Sequence, residues 1–139
     1  MLIAFSFFGK NDLKTSEIII PQVSNAKGIR VVEGDTIKVS FECQEETVRL
    51  IGIDTPERGR PYYSEAKDKL SELVLNKEVR LEKDVSETDR YDRLLRYIYV
   101  GDLFVNLEMV KQGYATSYSY PPDVKYQDQI LTAQQEAQA

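Results

Sequence analysis

The sequence predicts a small α+β domain in which a partly open β-barrel carries helices packed against it. Several segments alternate apolar and polar residues with a period of two, which is the pattern of half-buried strands. One strongly amphipathic segment separates the first strands from the later ones, and two further helical segments end the chain. Strands, a helix, more strands and two helices, all within 139 residues, indicate a single barrel-like domain.

The first residues are expected to lie outside this domain. Met1–Phe8 is apolar, but a transmembrane helix needs about twenty apolar residues, and no basic segment precedes this run. Ser24–Ala26 has small residues at the spacing of a leader cleavage site. We therefore interpret residues 1–27 as an N-terminal extension, or as the remnant of a processed leader, and residues 28–139 as the domain.

Three strands are expected at the start of the domain. Gly28–Val32 is the first, and the alternation over Thr36–Cys43 predicts the second. The polar residues 44–46 predict a turn, after which Thr47–Ile53 returns antiparallel as a hairpin. Cys43 is the one cysteine, and we expect it to be a small buried apolar residue.

A helix and two strands follow. Ser64–Asn76 places apolar residues at positions i, i+4, i+7 and i+8, which predicts an amphipathic helix with Ser64 as its N-cap. Glu78–Lys83 and Leu95–Val100 alternate again and are predicted strands.

Two helices complete the chain. Phe104–Gln112 is predicted to be a short helix, and Gly113 suits the left-handed conformation in which many helices end. After the break at Pro121 and Pro122, Tyr126–Gln138 has helical composition.

The composition excludes whole classes of catalysis. The chain has no His and a single Cys, so neither an ordinary zinc site nor a Ser-His or Cys-His nucleophilic pair can form. Carboxylates, Arg, Lys and Tyr remain as the groups available for chemistry. The 18 basic and 23 acidic residues give a formal charge of -5, which argues against a protein that holds nucleic acid by bulk electrostatic attraction.

Three carboxylates stand near the ends of predicted strands. Asp35 directly precedes the second strand and Asp54 directly follows the third. If these strands pair antiparallel, the two carboxylates meet at one edge of the sheet, where such oxygen pairs bind Ca²⁺ or Mg²⁺. Glu57 could stand close to that metal without ligating it, as a base that activates water should. The alternative is that Asp35 and Asp54 are ordinary turn residues.

Two arginines complete the candidate site. Arg49 lies in the strand leading to Asp54, and Arg93 lies in a charged turn. Their planar donors match the equatorial oxygens of a phosphorus transition state. In a regular strand Arg49 and Asp54 would point to opposite faces, so this interpretation requires Asp54 to lie in the turn, or a bulge near Gly52.

Successive motifs of the domain resemble those of the staphylococcal-nuclease-like (thermonuclease) family. Each motif alone is a weak match, but together they are specific, because they run in order and at the family's spacing from about residue 28 to the end of the chain. The motifs are Val31–Val39, Val48–Glu57, Asp89–Tyr99, Val105–Leu107, Gly113–Ala115 and Tyr118–Pro122.

The resemblance implies a five-stranded OB-fold β-barrel with three α-helices. It implies a Ca²⁺-dependent phosphodiesterase, with DNA and RNA as substrates and 5′-hydroxyl and 3′-phosphate ends as products. We expect a monomer without a membrane span. We also expect it to be secreted or in the cell envelope rather than cytoplasmic, because extracellular calcium is abundant.

Carried over residue by residue, the resemblance implies three groups of site residues. The metal ligands are Asp35, Asp54 and the backbone carbonyl of Thr55. The catalytic residues are Glu57 as general base and Arg49 with Arg93 as the pair on the scissile phosphate. The substrate-binding residues are Arg90 and Tyr91 at the neighbouring phosphate and Tyr118 and Tyr120 in the nucleotide pocket.

Asp92 departs from the family pattern, in which this position is usually Gly. We expect a tight turn held by a residue that tolerates left-handed geometry less well and that adds negative charge beside Arg93. The alternative function is a catalytically weak or inactive OB-fold nucleic-acid-binding module of the same family. Modules of that kind lack several of the site residues, whereas this chain retains them.

Overall fold

Eight strands and three helices form the part of the chain that the computed structural model describes, residues 23–139. The strands are β1 (Val23–Glu33), β2 (Thr36–Phe41), β3 (Gln44–Leu50), β4 (Ile53–Asp54), β5 (Glu78–Glu82), β6 (Leu94–Val100), β7 (Leu103–Phe104) and β8 (Thr116–Ser117). The helices are α1 (Tyr63–Val74), α2 (Val105–Lys111) and α3 (Gln127–Gln138).

Five of the strands close into a barrel. Antiparallel pairing joins them in the order β3–β2–β1–β5–β6, and parallel pairing of β3 with β6 joins the two ends. The predicted α+β fold, a five-stranded OB-fold barrel with three helices, is therefore confirmed. Closure leaves no free edge on these strands, and the short pair β4–β8 forms a separate ribbon beside the barrel.

The barrel interior is filled by the apolar residues that alternate along its strands. Ile37, Val39 and Val48 are fully buried, and the Ile37–Val48 pair lies directly across β2 and β3. Helix α1 buries Leu70 and its other apolar positions in the same core. Helices α2 and α3 also bury one face each in this core. All three helices therefore pack on the barrel and belong to the same domain.

Strand β1 begins at Val23, five residues before the expected start at Gly28. Residues 23–27 pair with β5, and Ala26 is buried against it, so Ser24–Ala26 lies inside a sheet. The apolar run Met1–Phe8 lies outside the described residues, and the division of the chain at residue 27 stays a prediction.

The predicted environment of Cys43 was wrong. Glu42 and Cys43 both have positive φ, of 51° and 66°, and form the two-residue turn between β2 and β3. Residues 44–46, expected to be the turn, are already the first residues of β3. Because it occupies the tip of the hairpin, Cys43 is exposed rather than buried.

The predicted cap of the first helix was also wrong, whereas the three helices themselves were found. Helix α1 begins at Tyr63, so Ser64 lies within it, and the preceding Tyr62 adopts a left-handed conformation with no side-chain cap. Helix α2 ends just before Gly113, whose φ of 85° confirms the predicted left-handed end.

Candidate active site

Asp35 lies in the turn between β1 and β2 and is almost fully buried. Its Oδ1 accepts a hydrogen bond from Thr36 Oγ1 at 3.0 Å, and its Oδ2 accepts two from Thr55, from the backbone N at 3.1 Å and from Oγ1 at 3.0 Å. These bonds tie the turn before β2 to the segment after β4. Asp35 therefore lies beside the segment that carries Asp54, at the edge of the sheet where the sequence predicted the two to meet.

Arg49 lies between the two aspartates. Its Nη2 is 3.5 Å from Asp35 Oδ2 and 3.5 Å from Asp54 Oδ1. Its Nη1 donates to the carbonyl oxygens of Leu50 at 2.7 Å and Ile53 at 2.9 Å. Two short bonds thus fix one end of the guanidinium, and the other end faces both carboxylates through longer contacts.

The regular alternation of side-chain directions is interrupted between Arg49 and Asp54, because the strand breaks there. Strand β3 ends at Leu50 and β4 begins at Ile53, and Gly52 in between has a φ of 86°. A side chain at Gly52 would also meet Ile130 Cδ1 at 2.8 Å. The required irregularity near Gly52 is present, so Arg49 and Asp54 meet although they are five residues apart.

The carboxylates influence one another electrostatically. Burial raises the pKa of Asp54, and the negative charges of Asp35 and Glu57 raise it further, while Arg49 opposes the shift. The pKa of Asp54 is therefore above its ordinary value. Two neighbouring carboxylates and one arginine therefore act on the charge of Asp54.

Arg93 is held by Asp89 in the loop before β6. The Asp89 Oδ1 accepts from the backbone N of Tyr91 at 2.9 Å and of Arg93 at 3.0 Å, and its Oδ2 accepts from Arg93 Nε at 2.7 Å. Burial raises the pKa of Asp89, but these bonds together lower it below its ordinary value. Asp92, with a φ of 64°, makes the left-handed turn expected at this position.

The predicted substrate-binding residues surround the same loop and the chain after β8. Arg90 Nη2 lies 3.2 Å from the Tyr91 hydroxyl, and both side chains are exposed. The rings of Tyr118 and Tyr120 stack 6.4 Å apart at an interplanar angle of 19°, and nearly half of each remains exposed. Two parallel exposed rings form a surface on which a base can stack.

One cleft of about 420 Å³ unites most of these side chains. Its lining includes the predicted catalytic residues and all four predicted substrate-binding residues, namely Arg49, Glu57, Arg93, Arg90, Tyr91, Tyr118 and Tyr120. Asp54 also lines it, whereas Asp35 and Thr55 are buried and do not line it. Within residues 23–139 no group of three or more acidic or Cys side chains is close enough to hold a metal by itself.

Three polar residues that sequence reasoning did not single out support this cleft. Asp89 orients Arg93, a pairing that its position four residues earlier could have suggested. Asp123 is fully buried and accepts from the backbone N of Val85 and Ser86, which ties the tyrosine segment to the loop after β5. Gln127 donates to the Gly52 carbonyl at 3.2 Å. The last two contacts cross the fold and left no local signal.

The comparisons with known proteins agree with this geometry. The family model described as "Staphylococcal nuclease homologue" matches residues 47–139, two thirds of the chain. The chain belongs to this family. The resemblance inferred from the motifs is therefore confirmed.

Named relatives of this nuclease family are similar over most of the chain. A thermonuclease of Staphylococcus hyicus is 42% identical over 118 residues, which cover 81% of this chain and 70% of that protein. A thermonuclease of Staphylococcus intermedius is 42% identical over 115 residues, covering 78% and 68%. The endonuclease YncB of Bacillus subtilis is 38% identical over 118 residues, covering 79% and 56%. The prediction of a thermonuclease-like nuclease is confirmed by these relatives.

None of the helices within residues 23–139 combines the length and the apolar character that a membrane span requires.

Proposed function

We propose that this nuclease is a Ca²⁺-dependent phosphodiesterase that hydrolyses single-stranded or flexible DNA and RNA to 5′-hydroxyl and 3′-phosphate products. The observation that carries the proposal is the convergence of Asp35, Asp54 and Arg49, with both carboxylates 3.5 Å from the same nitrogen. Glu57 and Arg93 line the cleft that this cluster borders. Candidate metal-binding carboxylates, a base and phosphate-binding groups are thus gathered at one place.

The donor set suits a hard divalent cation. Asp35 and Asp54 offer carboxylate oxygens and Thr55 offers a backbone carbonyl, the ligand types that Ca²⁺ prefers. The pKa of Asp54 is raised first by burial and then by the neighbouring carboxylate of Asp35, and a cation bound to both carboxylates would offset both effects. The net charge of -5 disfavours the binding of a phosphate group. When bound, the ion would offset this by supplying positive charge beside the phosphate oxygens.

The protein's own residues account for the remaining steps. Glu57 is exposed to the cleft, so its carboxylate can take a proton from a water molecule as that water attacks phosphorus. Arg49 and Arg93 donate to the equatorial oxygens, whose charge grows as the fifth bond forms. The bond from phosphorus to the 5′ oxygen then breaks, and this oxygen takes up a proton from solvent to give the 5′-hydroxyl end. Asp89 and the Leu50 carbonyl hold the two guanidinium groups ready for this task. Tyr118 and Tyr120 hold the base of the bound nucleotide.

One observation favours the alternative, a catalytically weak nucleic-acid-binding module. Arg49 is engaged by two carbonyl oxygens and two carboxylates within the protein. If these contacts hold it throughout, the guanidinium stabilises the fold rather than the transition state. The Nη1 bonds are short and the Nη2 contacts are long, which is why we favour an arginine that is anchored at one end and able to meet a phosphate at the other.

A fluorogenic single-stranded oligonucleotide tests the two functions against each other. We expect cleavage with Ca²⁺ and none after the metal is chelated, with 3′-phosphate ends identified by mass spectrometry. Oligonucleotide binding without product at any Ca²⁺ concentration would support the binding module instead. Arg49→Lys is the matched variant, because it keeps the charge and removes the planar donors.

A further inference from the structure

Residues 58–62 form an exposed loop that leads from Glu57 into helix α1. The loop turns tightly, because Arg60 N donates to the Glu57 carbonyl at 2.9 Å and Tyr63 N donates to the Arg60 carbonyl at 3.2 Å. Tyr62 presents an aromatic side chain that is 70% exposed, from a left-handed backbone position. We call these residues the Arg58–Tyr62 loop.

The loop combines positive charge with this exposed ring. Arg58 and Arg60 are both exposed, and within residues 23–139 neither makes an ion pair, unlike Arg49 and Arg93. The Arg58 guanidinium stands 5.2 Å over the buried Tyr63 ring, which gives it a defined position. In a chain of net charge -5, these two exposed arginines and the exposed Tyr62 give the loop a local basic and aromatic surface.

Single-stranded nucleic acid needs more surface than the cleft provides. A cleft of about 420 Å³ has the size of a small-molecule site, whereas single-strand sites span roughly 4–16 nucleotides. The lining of the cleft includes Glu57 but none of residues 58–62. The Arg58–Tyr62 loop directly follows Glu57, so it is the surface that a strand leaving the cleft on the side of Glu57 would reach.

We propose that the Arg58–Tyr62 loop is a second nucleic-acid subsite, in which Tyr62 stacks on a base and Arg58 and Arg60 contact phosphates of the strand beyond Glu57. The proposal rests on the proposed nuclease function and adds substrate-length specificity to it. The stacked pair Tyr118–Tyr120 holds one nucleotide within the cleft, and Tyr62 holds another outside it. Substrates long enough to reach both surfaces bind more tightly than single nucleotides.

The test compares a DNA of about twelve nucleotides with a single-nucleotide aryl phosphodiester. Tyr62→Asn removes the ring and suits the left-handed backbone, so folding is preserved. We expect it to raise KM for the DNA by about tenfold and to leave KM for the small substrate unchanged. Tyr62→Phe is the matched control and should behave as the wild type, since it keeps the stacking face.

The charge contribution is measured separately by fluorescence anisotropy of the labelled DNA in a Glu57→Gln background, where turnover is suppressed. Replacing Arg58 and Arg60 with Ala should make the plot of log affinity against log salt less steep, by about 1.4 in slope or ~0.7 per lost phosphate contact. Replacing Arg30 and Lys111, which are exposed and do not line the cleft, removes the same charge and should leave the slope unchanged.

Each outcome decides a different claim. Unchanged KM for the DNA in Tyr62→Asn, or an equal loss on both substrates, would overturn the loop subsite while the nuclease function stands. An unchanged salt slope in the double arginine variant would do the same. A wild type that cleaves neither substrate would overturn the nuclease function, and the anisotropy measurement would still decide whether the loop binds.

Discussion

Replacing Asp89 with Asn is expected to slow catalysis by misplacing Arg93. Asn keeps a carbonyl oxygen that can accept from the two backbone N–H groups of the loop, but it loses the charged bond to Arg93 Nε, which is 2.7 Å long. A hydrogen bond to a charged group contributes about 1.5–3 kcal/mol. The Asp89 side chain is only 9% exposed, so solvent does little to replace that bond.

The size of the effect follows from the role given to Arg93. One transition-state donor is typically worth about 3 kcal/mol, or roughly 100-fold in kcat. Misplacing it should cost about half of this free energy, so we expect Asp89→Asn to lower kcat about tenfold with little change in KM.

A double-mutant cycle on oligonucleotide cleavage checks this reasoning. Once Arg93 is replaced by Ala, the further change Asp89→Asn should have almost no effect on kcat, because the group it positions is gone. Independent losses that multiply in the double variant would refute the positioning role. Unfolding by urea, measured in parallel, shows whether a lost fold explains the loss of rate.

Three further outcomes test the fold around the site. Burial raises the pKa of Glu82, but hydrogen bonds from Lys125 and Tyr126 lower it below its ordinary value. Glu82→Gln should therefore cost about 2–3 kcal/mol of unfolding free energy in urea at neutral pH, and this difference from the wild type should disappear as pH falls below about 4. A difference that stays constant with pH would contradict the role of the ionised Glu82. Buried Asn106 joins β6 to the turn after β3, because it accepts from the Ile98 N and donates to the Ile51 carbonyl. Asn106→Leu should therefore lose about 3–5 kcal/mol in the same assay, and a loss under about 1 kcal/mol would contradict this role. Asp92→Gly relieves a φ of 64° and should raise stability by about 0.5–1 kcal/mol and kcat slightly; a lower melting temperature would count against the strain.

Local pattern predicted a barrel and placed Asp35 and Asp54 at one edge of a sheet, whereas the five strands of that barrel and the substrate-binding residues were implied by the family resemblance. Alternation located the strands that form the barrel, and Gly52 was the one residue able to break the strand between Arg49 and Asp54. That break was itself predicted, because in a regular strand Arg49 and Asp54 would point to opposite faces and could not meet.

The errors lie where a left-handed backbone decides the structure. Cys43 fits a strand pattern, but the positive φ at Glu42 and Cys43 moves it into the turn. Ser64 is a favourable cap residue, yet α1 starts one residue earlier, after the left-handed Tyr62. Propensity does not reveal either choice, since residues of the type of Cys43 and Tyr62 rarely adopt a left-handed backbone.

Contacts between distant segments could not be read from the sequence. Tyr126 donates to Glu82 across 44 positions, and Asp123 fixes a loop almost as far away. Each side chain has many polar residues as equally good partners until the barrel closes. The site geometry that depends on such contacts, including the placement of the Tyr118–Tyr120 segment, therefore required the structure.

The most direct test of the central claim measures turnover and ligand binding side by side in Glu57→Gln. The exposed Glu57 is assigned to the proton of the attacking water, not to the phosphate, which the arginines bind. With Ca²⁺ present, kcat should fall by 100-fold or more, in the range of ~10²–10⁴ for a general base, while the affinity for a nucleoside 3′,5′-bisphosphate stays within a factor of about three. An equal loss of turnover and of bisphosphate affinity, or full activity in the variant, would contradict this account.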